Sequence, residues 1–137
     1  MLYTQPLKKN RQFKEVYGNG VSAANRLLVV HVIESDGFSE INRLGVCVSK
    51  KVGKAVVRNR VKRLIRENFR LLEGSVRPGH DLVVVARLST CALPRETAFL
   101  DIQRALVHVL RKLGLMYGHA GEKKHDENIG DVGPSRV

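Results

Sequence analysis

No tryptophan occurs in this 137-residue chain, and aromatic residues of all kinds make up 5% of it, so each Phe and Tyr is worth locating. Cysteine is equally scarce. Cys47 and Cys91 lie far apart with no C-x-x-C, which excludes a disulfide framework and a thiolate zinc site and leaves two reduced residues. Of the five histidines only His119 and His125 are close in sequence, without a third ligand, so no metal site is expected. Long apolar runs are missing too. The longest, LLVVHVI, is far too short to span a bilayer, and the N-terminal MLYTQPLKKNRQF has no apolar stretch ahead of a cleavage site. A cytoplasmic protein without a membrane partner is the expectation. Acidic residues are the last deficit: 13 Asp and Glu face 24 Lys and Arg, for a net charge of +11 and a pI near 10.2. Such an excess calls for a polyanionic partner, nucleic acid before a membrane surface.

What remains is enough for one core, with 43% apolar residues. NRQFKEVYGNG sets Phe13, Val16 and Tyr17 at helical spacing and stops at Gly18 and Gly20, predicting a short amphipathic helix. RLLVVHVI reads as a strand with Leu27, Val29, His31 and Ile33 on one face and Leu28, Val30 and Val32 on the other. The pair Asp36-Gly37 suggests a turn into RLGVCVS, and hence an antiparallel hairpin of these two strands. Residues 54–73, bounded by Gly53 and Gly74, predict a second helix. DLVVVAR predicts a buried strand that runs parallel to the one before the helix. A third helix carries Phe99, Ile102, Leu106, Val109, Leu110 and Leu113, with Pro94 in its first turn. The order is α-β-β-α-β-α, an α+β domain over residues 1–117 in which helices pack on a small mixed sheet. Residues 118–137 are polar and glycine-containing, and are expected to form a flexible tail.

The chemistry concentrates in the second helix. Residues 50–70 hold nine Lys/Arg against one acid, Glu67, a net +8 of the chain's +11. On a helical wheel Val57, Val61, Leu64, Ile65, Phe69 and Leu72 share one side. Asn59, Arg63, Arg66 and Arg70 form a row on the other. Arg60 and Lys62 flank that row, and Arg58 falls near the apolar sector, where it can reach around the first turn. A solvated face is the bland alternative for any charge run. Here six like-charged pairs at i+3 or i+4 outnumber two attractive ones, Glu67 with Arg63 and with Arg70. The net cost is about 1–2 kcal/mol in the free protein, and a polyanion would reverse its sign. Arginine's planar fork suits phosphate and base contacts. These residues do not separate RNA from DNA, since the row would also fit a major groove.

LGVCVSKKVGKAVVRNRVKRLIRENFR, centred on Arg58-Asn59-Arg60 and Lys62-Arg63-Leu64-Ile65-Arg66, resembles the signature of the protein subunit of bacterial ribonuclease P. The likeness extends to LKKNRQFKEVYGNG, to Ala24-Asn25-Arg26 and to DLVVVAR, roughly residues 7–113. It implies a fold similar to a ribosomal-protein domain, with the basic helix in a left-handed βαβ crossover, against the general right-handed rule. It also implies a division of labour. A large RNA subunit, using Mg2+, would cleave precursor tRNA to release the 5′ leader, and the protein would assist; no catalytic residue stands out in this chain at recognisable spacing. The resemblance implies that Arg58, Asn59, Arg60, Lys62, Arg63 and Arg66 meet the catalytic RNA, with Lys50, Lys51 and Lys54 adding charge near the helix start; Arg70 extends the row. Phe13, Tyr17, Val29 and His31 match the positions of a cleft for the single-stranded leader, although family members often carry an aromatic residue in place of His31. Rings can stack on unpaired bases without sequence preference; spacing alone favours Phe13, Val16 and Tyr17 pinning their helix to the core, and it is the resemblance that points to the cleft. Outside the holoenzyme a monomer is expected. A ribosomal or general RNA-binding module, and a nuclease independent of RNA, are the competing classes.

Overall fold

A computed structural model describes residues 3–35 and 40–117. Its elements are β1 (Thr4–Pro6), α1 (Asn10–Asn19), β2 (Val21–Ala24), β3 (Leu28–Glu34), β4 (Asn42–Val48), α2 (Ala55–Leu72), β5 (His80–Ala86) and α3 (Ala98–Lys112), with short 3-10 turns at Lys50–Val52, Glu73–Ser75 and Leu88–Ala92. The strands form one mixed sheet in the order β1-β4-β5-β3-β2. The α+β architecture is therefore as expected, and β5 does run parallel to β4. The Asp36-Gly37 turn and the 118–137 tail lie outside the described residues.

Three sequence expectations need correction. β3 and β4 are not a hairpin: β5 lies between them, antiparallel to β3 and parallel to β4. The reason lies in β5 itself, where Leu82, Val83 and Val84 are all fully buried, so that both faces and both edges of the strand must be covered. Two edge strands also join the sheet. β1 is three residues ending in proline, and β2 reads Val-Ser-Ala-Ala, neither of which carries an alternating apolar signal. Finally, α3 starts at Ala98 rather than around Pro94, whose carbonyl accepts from the Ala98 amide in the turn ahead of the helix.

Strand alternation divides the interior. Leu28, Val30, Val32, Leu44, Leu82 and Val84 face α2 and α3, where Ile65, Phe69, Leu106 and Leu110 are fully buried. The odd-numbered residues face α1, whose Val16 packs with Leu7 and Val83 in a much smaller cluster. Asn68, also buried, ties α2 to α3 by donating to the Leu64 and Phe99 carbonyls at 3.0 and 3.1 Å. Burying each of Val61, Ile65 and Phe69 contributes about 1.5–3 kcal/mol, which more than offsets the repulsion along α2. The helix therefore presents its charges on a rigid support.

Candidate nucleic-acid interface

The basic helix is aimed by the turn that precedes it. Ser49 Oγ accepts from the Lys51 amide at 3.3 Å and starts the 3-10 turn. Gly53 then lets the chain pass close beneath Val57, where a methyl group would press on the Val57 side chain at 3.1 Å. Lys50, Lys51 and Lys54 are consequently all exposed beside the first turn of α2. That turn carries no acidic residue and no side-chain cap, so the positive end of the helix dipole adds to the lysines.

Along the helix, Asn59, Arg63, Arg66 and Arg70 are exposed in one row, with Arg60 and Lys62 half-buried on its flanks. Two cations are already engaged. Arg58 bends back so that Nε donates to the Gly53 carbonyl at 3.0 Å, and Arg70 pairs with Glu67 at 2.9 Å. Glu67 thus takes Arg70 rather than Arg63. Lys62, Arg63 and Arg66 have no acidic partner among the described residues, whose other ion pair is Arg43 with Asp81. The unopposed charge runs from Lys50 to Arg66.

A second surface lies across the sheet, on the face that α1 covers only in part. Phe13 lies on Gly45, where a methyl group would come within 2.7 Å of its ring. Val16 is fully buried, whereas Tyr17 is 46% exposed. Its ring meets His31 edge-on, with centroids 4.7 Å apart and planes at 78°, and its hydroxyl donates to Cys47 Sγ at 3.7 Å. Val29 and Val85 are half-buried neighbours in the β3–β5 register and continue this floor beside Cys47. Phe13, Tyr17, Val29 and His31 therefore lie together on the α1 side of the sheet. Pinning and presenting are divided among the α1 residues: Val16 anchors, Phe13 packs, and Tyr17 remains available.

Burial, with the Cys47 hydrogen bond and charge adding to it, pushes the Tyr17 hydroxyl up to about 12. Burial lowers the His31 imidazole below its usual value. Both rings are neutral near pH 7, which favours stacking on uncharged bases. At the far end of this face Arg43 grips Asp81 with two bonds of 2.8 and 2.9 Å, and Ser35 Oγ adds a third at 3.3 Å. Sequence reading missed Gly45, Cys47 and Val85. A glycine inside an apolar strand was the available signal for the first, because it marks a close approach. Among the described residues no three His, Cys, Asp or Glu side chains come together as metal ligands, and no helix is long and apolar enough to cross a membrane.

The model of the family described as Ribonuclease P matches residues 1–114. The chain belongs to the ribonuclease P protein family. The ribonuclease P protein component of Alkaliphilus metalliredigens is 46% identical over 110 residues, which cover 80% of this chain and 94% of that one. Among solved structures, the Staphylococcus aureus RNase P protein aligns with a TM-score of 0.72 at 38% identity, covering 83% of this chain and 97% of its own. A mutant of the S. aureus protein, described as defective in mRNA degradation activity, aligns with a TM-score of 0.73 at 37% identity and covers 84% and 91%. Membership in this family implies an RNA partner and a part in an endoribonuclease that processes tRNA.

Proposed function

We propose that this chain is the protein subunit of a ribonuclease P holoenzyme that docks on the catalytic RNA through α2 and receives the 5′ leader of precursor tRNA in the α1 cleft. The observation that carries the reading is the unopposed cationic row of α2, held rigid by a buried apolar stripe and ending where Glu67 neutralises Arg70. Counterion release from the RNA would drive docking, and screening of phosphate repulsion would let the two RNAs approach. The cleft suits a single strand, because a neutral tyrosine edge and an apolar floor accept any base. Cleavage of the phosphodiester belongs to the RNA and the Mg2+ it holds, in the cytoplasm, and the protein is a monomer until it assembles.

Reconstitution tests this directly. Precursor tRNA is incubated at low Mg2+ with the catalytic RNA alone, with protein freed of RNA, and with both. Release of the leader only in the combined reaction is expected. Cleavage by protein alone would favour an RNA-independent nuclease, the alternative suggested by the mRNA degradation activity ascribed to the S. aureus protein.

A further inference from the structure

The segment Asn25-Arg26-Leu27 has a structural role and borders a groove. It joins β2 to β3 at the end of the sheet where β4 and β5 also finish, so Arg26, Arg87 and the Lys50–Lys54 turn all emerge at one end. The backbone there is cross-linked by cations: Arg87 donates to the Asn25 carbonyl at 3.1 Å, and Lys112 of α3 to the Ala24 carbonyl at 2.8 Å. Between this turn and α3 runs a groove of about 380 Å3, lined among others by Arg26, Asp101, Arg104 and His108. Both arginines are exposed. The one lining carboxylate, Asp101, already accepts from Thr97 Oγ1 at 2.8 Å.

Hydrogen bonding fixes the proton on His108. Asn25 Oδ1 accepts from the Leu27 and Leu28 amides at 3.1 and 2.9 Å, so its amide cannot be reversed. Nδ2 therefore donates twice, to the Ala105 carbonyl at 2.9 Å and to His108 Nδ1 at 3.2 Å. Since Nδ1 accepts, the neutral ring carries its hydrogen on Nε2, leaving a donor free of that contact. Burial first, and the Lys112 charge second, lower the basicity of this imidazole and keep it neutral near pH 7.

We infer that this groove is a second docking point for the catalytic RNA, taking one backbone phosphate between Arg26 and Arg104 with His108 Nε2–H as a neutral donor. The inference rests on the function proposed above. Catalytic RNA fits better than the leader because α3 packs beside α2 on one side of the sheet, whereas the α1 cleft lies on the other. Moreover, the Lys50–Lys54 turn and Arg87 continue the positive surface from α2 towards the groove.

The test compares assembly of full-length protein with the catalytic RNA over a salt series, and binding of leader-bearing and leaderless tRNA by the assembled holoenzymes, using wild type, Arg26→Gln/Arg104→Gln and Arg63→Ala/Arg66→Ala. The groove variant should fold normally, bind on the order of tenfold more weakly and show a salt slope shallower by about 0.7–0.9 for each phosphate it no longer neutralises. Nitrogen NMR of the free protein should show His108 protonated on Nε2, and its signals should shift on adding the RNA. Unchanged assembly by the groove variant beside a weakened α2 variant would overturn the inference and leave the proposed function standing; unchanged assembly by both would overturn both. A defect seen only with leader-bearing precursors would assign the groove to the leader and likewise overturn it.

Discussion

The two proposed RNA surfaces of this protein are built in opposite ways. α2 carries its face on one contiguous stretch, Asn59 to Arg70, and needs the fold only as a support. The α1 cleft is assembled from residues distant in sequence: Tyr17 on α1, His31 on β3, Cys47 on β4 and Val85 on β5. A charged face of the first kind tolerates local change, because each arginine acts nearly alone through long-range electrostatics. An apolar cleft of the second kind depends on how closely its parts fit. Loss of one small residue such as Gly45 would displace Phe13 and the helix that carries Tyr17.

The largest effect should come from α2. Arg63→Ala with Arg66→Ala removes two unopposed exposed cations, so the fold should persist while affinity for the catalytic RNA falls and the logarithmic salt slope becomes shallower by about 0.7–0.9 for each phosphate left without its cation. Binding titrations at several salt concentrations check this; an unchanged slope, or an unfolded protein, would erase the contrast between the two surfaces. Next in size is Gly45→Ala, whose methyl group would intrude on the Phe13 ring. Denaturant unfolding should show a loss of about 1–3 kcal/mol. Adding Phe13→Leu should recover part of it, and additivity of the two changes would deny that the two residues touch.

A smaller effect concerns pH. The His31 pKa is lowered in the fold, so the neutral ring's contribution is fully present above the unfolded value of about 6.5 and is lost as pH falls through the folded value. His31→Phe should therefore lose less stability than wild type between neutral pH and the acid side of that window. Thermal unfolding at matched pH values measures the difference. Identical acid sensitivity would mean that His31 is not confined by its neighbours. His108 shifts in the same direction and remains in both proteins, so it cancels in the comparison.

How much of this was legible in the sequence follows the same contrast. The row on α2 was readable because helical periodicity maps sequence spacing directly onto a face, and the buried Val61, Ile65 and Phe69 lie where the wheel places them. Its exceptions are tertiary. Asn68 is buried because the Phe99 carbonyl needs a donor, and Glu67 pairs with Arg70 alone. Faces of β3 were equally readable by alternation, but its neighbours were not. Pairing order depends on which strand must be covered on both sides, and the wholly apolar core of β5 outweighed the turn signal at Asp36-Gly37. Of the His108 groove only the Ala24-Asn25-Arg26 step was marked, by the family resemblance, and its meeting with α3 was not, since Asn25 on the β2–β3 connection meets Ala105 and His108 at the far end of the described chain.

The most direct test of two separable surfaces is precursor binding by holoenzymes carrying Tyr17→Ala, measured against leader length. Tyr17 is exposed and lies off α2, and among the described residues its ring pairs with His31 and its hydroxyl with Cys47, so folding and assembly with the catalytic RNA should match wild type. With a leader long enough to reach the cleft, affinity should fall by about fivefold to a hundredfold, the range for losing one good stack. With a leaderless tRNA it should not change. An equal defect on both substrates would contradict the account, because Tyr17 would then act through the fold and not through the leader.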